Sequence, residues 1–192
     1  MKQRFEIDPS HTRFGFTAKH MMFTTVRGTF ADAAGHVEVD NDDPLTAVAE
    51  VVLKTASIDT ANDGRDNHLR SADFFDVENH PEITFRSTGL RLVGGNRYLA
   101  TGDLTIRGTT RPIELDVRLE GRVNDPWGND RVSVSASAEL DRREWNLTWN
   151  VALEAGGWLV SEKIKLEIEV ALVRKLEAAA EAPVETEGAR VS

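Results

Sequence analysis

Over residues 113–123 the chain alternates two kinds of side chain. Ile113, Leu115, Val117, Leu119, Gly121 and Val123 fall on one side, and Glu114, Asp116, Arg118, Glu120 and Arg122 on the other. Successive side chains on a β-strand point to opposite faces, so this segment predicts a strand with one dry and one wet face. Two later segments repeat the pattern. Val132, Val134, Ala136, Ala138 and Leu140 alternate with Ser133, Ser135, Ser137 and Glu139, and Ile164, Leu166, Ile168, Val170 and Leu172 alternate with Lys163, Lys165, Glu167 and Glu169. Antiparallel sheets with one solvated face carry this signature.

Fainter alternation predicts strands over 13–19, 35–40, 47–55, 83–88, 90–92 and 98–106. Turn residues separate the segments: Asp42-Asp43-Pro44, Gly94-Gly95-Asn96, Asp125-Pro126-Trp127-Gly128 and Gly156-Gly157. About eight strands at this spacing suit a sandwich or an up-and-down barrel. The barrel is preferred, because closure leaves no edge and the acidic outer faces suit its exterior. The expected class is therefore all-β, an extended antiparallel up-and-down β-barrel with one or two short helices. His68, Leu69, Ala72 and Phe75 lie at helical spacing and predict a short helix within 66–76, while 142–157 reads as irregular. A single domain is expected over 1–174. The Ala- and Glu-rich stretch 175–192 can bury little surface and reads as a frayed helix followed by a disordered tail.

Composition narrows the function. The 192 residues carry a net charge of −9 with a sequence pI near 5.1, which disfavours a nucleic-acid partner and electrostatic attachment to anionic membranes. No run of about 18 apolar residues predicts a membrane span, and no stable membrane insertion is expected. The start lacks the apolar core of a leader peptide, so a cytoplasmic location is expected. There is no cysteine, which removes disulfides and thiolate chemistry. His11, His20, His36, His68 and His80 are scattered without metal-ligand spacing, and no G-x-S-x-G elbow occurs; neither a metal nor a catalytic residue is assigned. Asp8 and His11 stand together, but where the chain enters its first predicted strand, a place for a turn held by Asp8.

Six motifs follow one another in order: F-x-I-D-P-S-H-T-R-F-G-F from Phe5, V-R-G-x-F from Val26, R-D-N-H-L-R-S-A-D-F-F-D from Arg65, P-x-I-T-F-R-S-T from Pro81, G-D-L-T-I-R-G-T-T-R-P from Gly102 and D-P-W-G from Asp125. Together they resemble the YceI family, the polyisoprenoid-binding or lipid-binding YceI-like proteins, over about residues 5–173. The resemblance implies a lipocalin-like barrel with an elongated cavity for a long-chain amphiphile such as a polyisoprenoid. It also implies a capacity to form homodimers, for which the residues themselves carry no signature. Many members of that family are periplasmic and begin with a leader peptide, and this chain departs from them in that respect.

Candidate ligand contacts come first from the inward aromatics. Phe14 and Phe16 share one face of a strand, His20 continues it, and Phe30, Phe85, Leu104 and Ile106 join them. A small barrel is either filled by such side chains or left open around one ligand; alternation alone leaves both readings standing, and the resemblance favours the cavity. Trp145, Trp149 and Trp158 suit either a pocket mouth, where a tail meets a polar head, or a plug. Phe74 and Phe75 suit a cap. Arg65 and His68 could grip an anionic head group, although an anchoring role for Arg65, Asp66 and His68 at the barrel rim is the preferred reading. Arg107 and Arg111 are alternative anion contacts.

These residues lead to one expectation: non-enzymatic binding, storage or transport of a long-chain amphiphile, such as an isoprenoid quinone or prenyl phosphate, with no cofactor beyond that lipid. Two other readings stand beside it. One is an enzyme acting on a bound lipid, for which His20 and His68 are the ionisable candidates. The other is a carrier of fatty acids or fatty amides.

Overall fold

The first and last strands of the chain lie side by side, and that pairing closes the sheet. The computed structural model describes residues 1–175. Among them the strands are β1 (Lys2–Ile7), β2 (Arg13–His20), β3 (Thr24–Phe30), β4 (Ala33–Asp40), β5 (Asp43–Lys54), β6 (Ile58–Asp59), β7 (Glu82–Gly94), β8 (Arg97–Ile106), β9 (Thr109–Asn124), β10 (Asn129–Asp141) and β11 (Lys163–Lys175), with one α-helix, α1 (Asp63–Arg70). Strands β1, β4, β5, β7, β8, β9, β10 and β11 pair in that order, all antiparallel, and β1 returns to β11. The result is a closed eight-stranded barrel, as the alternation predicts. The proposed tail, from residue 176 on, lies outside the described residues.

Two of the eight staves are broken, and the F-x-I-D-P-S-H-T motif shows how. β1 pairs with the end of β11 (Ile7 opposite Leu172), and β2 pairs with its beginning (Phe14 opposite Ile168). Between them Pro9–His11 form a 3₁₀ turn capped by Asp8, whose carboxylate accepts from the Ser10 N–H at 3.1 Å and the Ser10 hydroxyl at 2.5 Å. Proline suits the first position of such a turn because it has no N–H to satisfy. The Thr12 hydroxyl accepts from the Ala171 N–H at 3.1 Å, occupying the gap that the turn leaves in the ladder. β3 and β4 break at the same level and keep the pairing of β2 with β3 and β1 with β4.

Connectivity separates two ends. The upper end carries the β2–β3 turn, α1, the Arg107-Gly108 turn and the 142–162 segment; the lower end carries the β4–β5, β7–β8 and β9–β10 turns. α1 lies earlier than its apolar spacing suggests. Asn62 accepts from the Arg65 N–H at 2.9 Å and starts the helix, and Ser71 ends it in extended conformation. Ala72 and Phe75 therefore sit in the turns that follow.

A β-bulge overturns part of the alternation expected over residues 113–123. Opposite β9, Ser133 pairs with Gly121 and Val134 with Leu119, leaving Glu120 as the extra residue. An extra residue reverses the facing of everything beyond it. Arg122, expected on the wet face, turns inward, while Val123 is 64% exposed.

Two glycines make room for inward phenylalanines. A Cβ on Gly28 would strike the Phe16 ring, and one on Gly102 would strike the Phe85 ring and approach the Arg86 carbonyl oxygen to 2.7 Å. Gly102→Ala should therefore destabilise the barrel by about 1–3 kcal/mol, the usual range for overpacking. A lowered urea midpoint with an unchanged slope would register it. Phe85→Leu in the same chain should recover only part of the loss, because the carbonyl contact persists.

Candidate functional site

Inward side chains of every long strand surround a lumen of about 420 Å³, within the usual range of roughly 300–1,000 Å³ for ligand cavities. Its wall is almost wholly apolar: Phe14 and Phe16 of β2, Val37 and Val39 of β4, Ile83 and Phe85 of β7, Ile113 to Leu119 of β9 at alternate positions, and Ile164 to Leu172 of β11 likewise. The space stays open because several inward positions carry almost no side chain: Ala47 and Ala49 on β5, Ala100 on β8 and Ala136 on β10. Leucines there would fill an eight-stranded barrel in the ordinary way.

Aromatic rings close the upper end. Trp145 is 1% exposed and donates its indole N–H to the Leu104 carbonyl at 3.0 Å. Phe75 meets Phe30 edge-on with centroids 5.7 Å apart, and Phe30 meets Phe16 at 5.8 Å. Beside them His68 is held between Phe74 at 5.1 Å and Trp149 at 4.5 Å, with its Nε2 2.8 Å from Asp73. Arg142, 5% exposed, also reaches the lumen; its guanidinium carbon stands 5.9 Å from the Phe74 ring centre.

A layer of charges forms the lower end. Asp130 accepts a two-pronged pair of hydrogen bonds from Arg122 (2.9 and 2.7 Å) and a third from Arg174 (2.9 Å); Arg122 also donates to Asp42 at 2.9 Å. Both guanidinium groups lie on the Phe5 ring, at 5.7 and 5.3 Å. The hydrogen bonds from Arg122 hold Asp130 below the usual carboxylate range. Charge within this layer is balanced, and its members are engaged with one another.

Seven of the ten ligand contacts named from the sequence line the lumen: Phe14, Phe16, Phe30, Phe85, Leu104, Ile106 and Trp145. His20, Trp149 and Trp158 do not. His20 forms an isolated bridge with Val160, Trp149 packs outside the lumen against His68, and Trp158 is 47% exposed. The three candidate head-group residues lie off the wall as well. Arg65 donates to the Thr60 hydroxyl (2.7 Å) and carbonyl (2.8 Å), while His68 engages Asp73. Arg107 donates to the carbonyls of Ala72 at 2.7 Å and Asn146 at 3.3 Å.

The chain is similar to known proteins along nearly its whole length. A family model described as the YceI-like domain matches residues 5–172. The chain belongs to the YceI-like family. A UPF0312 protein of Pectobacterium carotovorum is 34% identical over 172 residues, 90% of this chain and 86% of that protein. The crystal structure of a YceI protein from Campylobacter jejuni superposes with a TM-score of 0.72 at 28% identity, covering 82% of this chain and 90% of that one. A polyisoprenoid-binding domain from Saccharophagus degradans, implicated in plant cell wall breakdown, shares the fold at 15% identity and TM-score 0.63, covering 88% of this chain and 97% of that one.

Several YceI-like motifs in this chain have a structural explanation. In R-D-N-H-L-R, Asp66 is buried and accepts from the Thr60 N–H at 3.0 Å and hydroxyl at 2.5 Å, and Arg70 donates to the carbonyls of Ala56 and Ile58. The motif thereby fastens α1 to the strand edge. In D-P-W-G, Asp125 gathers the N–H groups of Trp127 and Asn129, and Arg131 joins it to Asp8 at 2.7 and 2.8 Å. Hydrogen bonds from Ser10 and Arg131 hold the Asp8 carboxyl well below its ordinary value, and Arg131 does the same for Asp125. The polar residues that do reach the YceI-like lumen, Asp42, Ser87, Tyr98, Arg122 and Arg142, are absent from the contacts expected from the sequence. For Arg142 a signal exists. Even-numbered residues of β10 from Val132 to Leu140 face inward, and Arg142 is the next in that series.

Proposed function

We propose that this protein binds a long-chain amphiphile in the lumen and carries or stores it without chemical change. The observation that carries this reading is the open apolar interior, held vacant by alanines and bordered at its two ends by different chemistry. The polyisoprenoid-binding name of the Saccharophagus degradans neighbour supports a lipid of that class. Catalysis has little to work with. Among the described residues the charged side chains on the wall are Asp42, paired with Arg122, and Arg142. Arginine stays protonated at neutral pH and makes a poor general base.

Burial of a methylene is worth about 0.8 kcal/mol, yet affinities saturate near about −20 kcal/mol, and a bilayer buries the same tail. Tail burial largely cancels between membrane and lumen. Fit along the tube and contacts at the head therefore decide what is held. Organic extraction of purified protein followed by mass spectrometry should release a long-chain lipid in near-stoichiometric amount. Ala100→Trp, which thrusts an indole into the lumen, should abolish that recovery while far-UV circular dichroism stays barrel-like. Equal recovery from both proteins would refute the reading.

A further inference from the structure

We infer that Arg142 anchors an anionic head group at the upper end of the lumen, with the tail extended downward between the inward faces of β8 and β10. The inference rests on the proposed lipid-binding role and adds the polarity and charge of the guest. Arg142 is only 5% exposed, and its side chain forms part of the wall. Its Nε donates to the Ser161 carbonyl at 2.9 Å and its Nη1 to the Leu147 carbonyl. Among the described residues Nη2 makes no hydrogen bond, and no carboxylate pairs with the group.

The two nearest acids are already taken. Arg143 holds Asp141 at 2.6 Å and Glu162 at 2.9 Å, which leaves Arg142 as a buried cation neutralised only at a distance. Such a charge is costly unless something compensates it. The face of Phe74 compensates in part. A carboxylate or phosphate completes the pairing, because the guanidinium fork matches two oxygens at once. The opposite end differs in charge: Arg122 and Arg174 share Asp130, and Arg122 also holds Asp42. Although the Arg174 Nε makes no hydrogen bond among the described residues, each guanidinium there is already paired with a carboxylate. One cation without a directly paired carboxylate at one end of an apolar tube therefore sets the direction of the guest.

Displacement of the neutral dye N-phenyl-1-naphthylamine at pH 8 tests this with four guests sharing one C18 tail: oleate, oleyl phosphate, oleyl alcohol and oleylamine. In the unaltered protein both anions should bind about tenfold more tightly than the alcohol, with the amine weakest. Inorganic phosphate alone should leave the dye in place, since it brings no tail. Arg142→Gln should bring oleate and oleyl alcohol to within about twofold of each other, while Arg142→Lys keeps part of the preference. If Arg142→Gln does not fold, the unaltered protein and Arg142→Lys still decide. Equal binding of anion and alcohol by the unaltered protein, or a tenfold preference surviving in Arg142→Gln, overturns the anchor. Dye that enters the lumen but yields to none of the four guests overturns the lipid-binding reading itself.

Discussion

Trp145→Ala is expected to cost the barrel about 3–5 kcal/mol, the range for deleting a large aromatic from a packed interior. Trp145 belongs to the cluster of Ile83, Ala100, Leu104, Ile113 and Leu115, and its ring separates the lumen from the upper surface. The void left by its removal adds to a space that is already open, so neighbouring side chains have little to collapse onto. Its N–H bond to Leu104 is lost as well. Urea unfolding followed by circular dichroism would measure the loss. Trp145→Phe should recover most of the packing but not the hydrogen bond, placing it between the two. Release of the proposed guest should quicken in the alanine variant, because Trp145 lines the upper end of the lumen. A loss below about 1 kcal/mol would mean that the ring is not part of the load-carrying core.

The second large effect is expected at the other end. Asp130→Ala removes the carboxylate shared by Arg122 and Arg174 and leaves two like charges on one phenylalanine ring. Breaking a buried ion pair costs about 3–5 kcal/mol; the lower figure applies here, because the Arg122 side chain is 42% exposed and water can hydrate it. The same carboxylate makes the fold acid-sensitive. Its folded-state pKa lies below the unfolded value, so its contribution is complete above about pH 4 and fades as the pH falls toward the folded value. Asp8 and Asp125 are shifted in the same direction and add to the acid limb. A pH series of urea midpoints should show stability falling below about pH 4 in the parent and falling less steeply in Asp130→Ala. Identical slopes would show that Asp130 is not a source of the acid sensitivity.

Much of the barrel was legible because period-two patterning is a direct image of a wall with one dry face. β9, β10 and β11 stood out in the sequence for that reason. β1 and β3 did not. Lys2–Ile7 and Thr24–Phe30 are short, interrupted staves with charged or small residues at alternate places, and their identity as strands depends on partners far away in the sequence. The bulge at Glu120 was hidden for a related reason: register is settled between two strands, and a single strand shows no sign of it. At the candidate site, inward aromatics on regular strands were readable from parity. Trp149 and Trp158 were not, since they sit on the irregular 142–162 segment, where no period tells inside from outside. Arg65 and His68 drew attention as polar residues near an apolar interior, but they spend their hydrogen bonds on the backbone and on Asp73. Arg142 carried the same chemistry one step past a strand end, where the alternation had still to be extended.

The seam between β11 and the first two strands has a consequence for how the molecule comes into being. Neither margin of the sheet finds its mate until β11 is made, from residue 163 on, so the circle can be joined only when nearly all of the barrel has been synthesised. A lumen walled on every side is thus a property of the finished barrel alone, present once β11 lies between β10 and the first two strands.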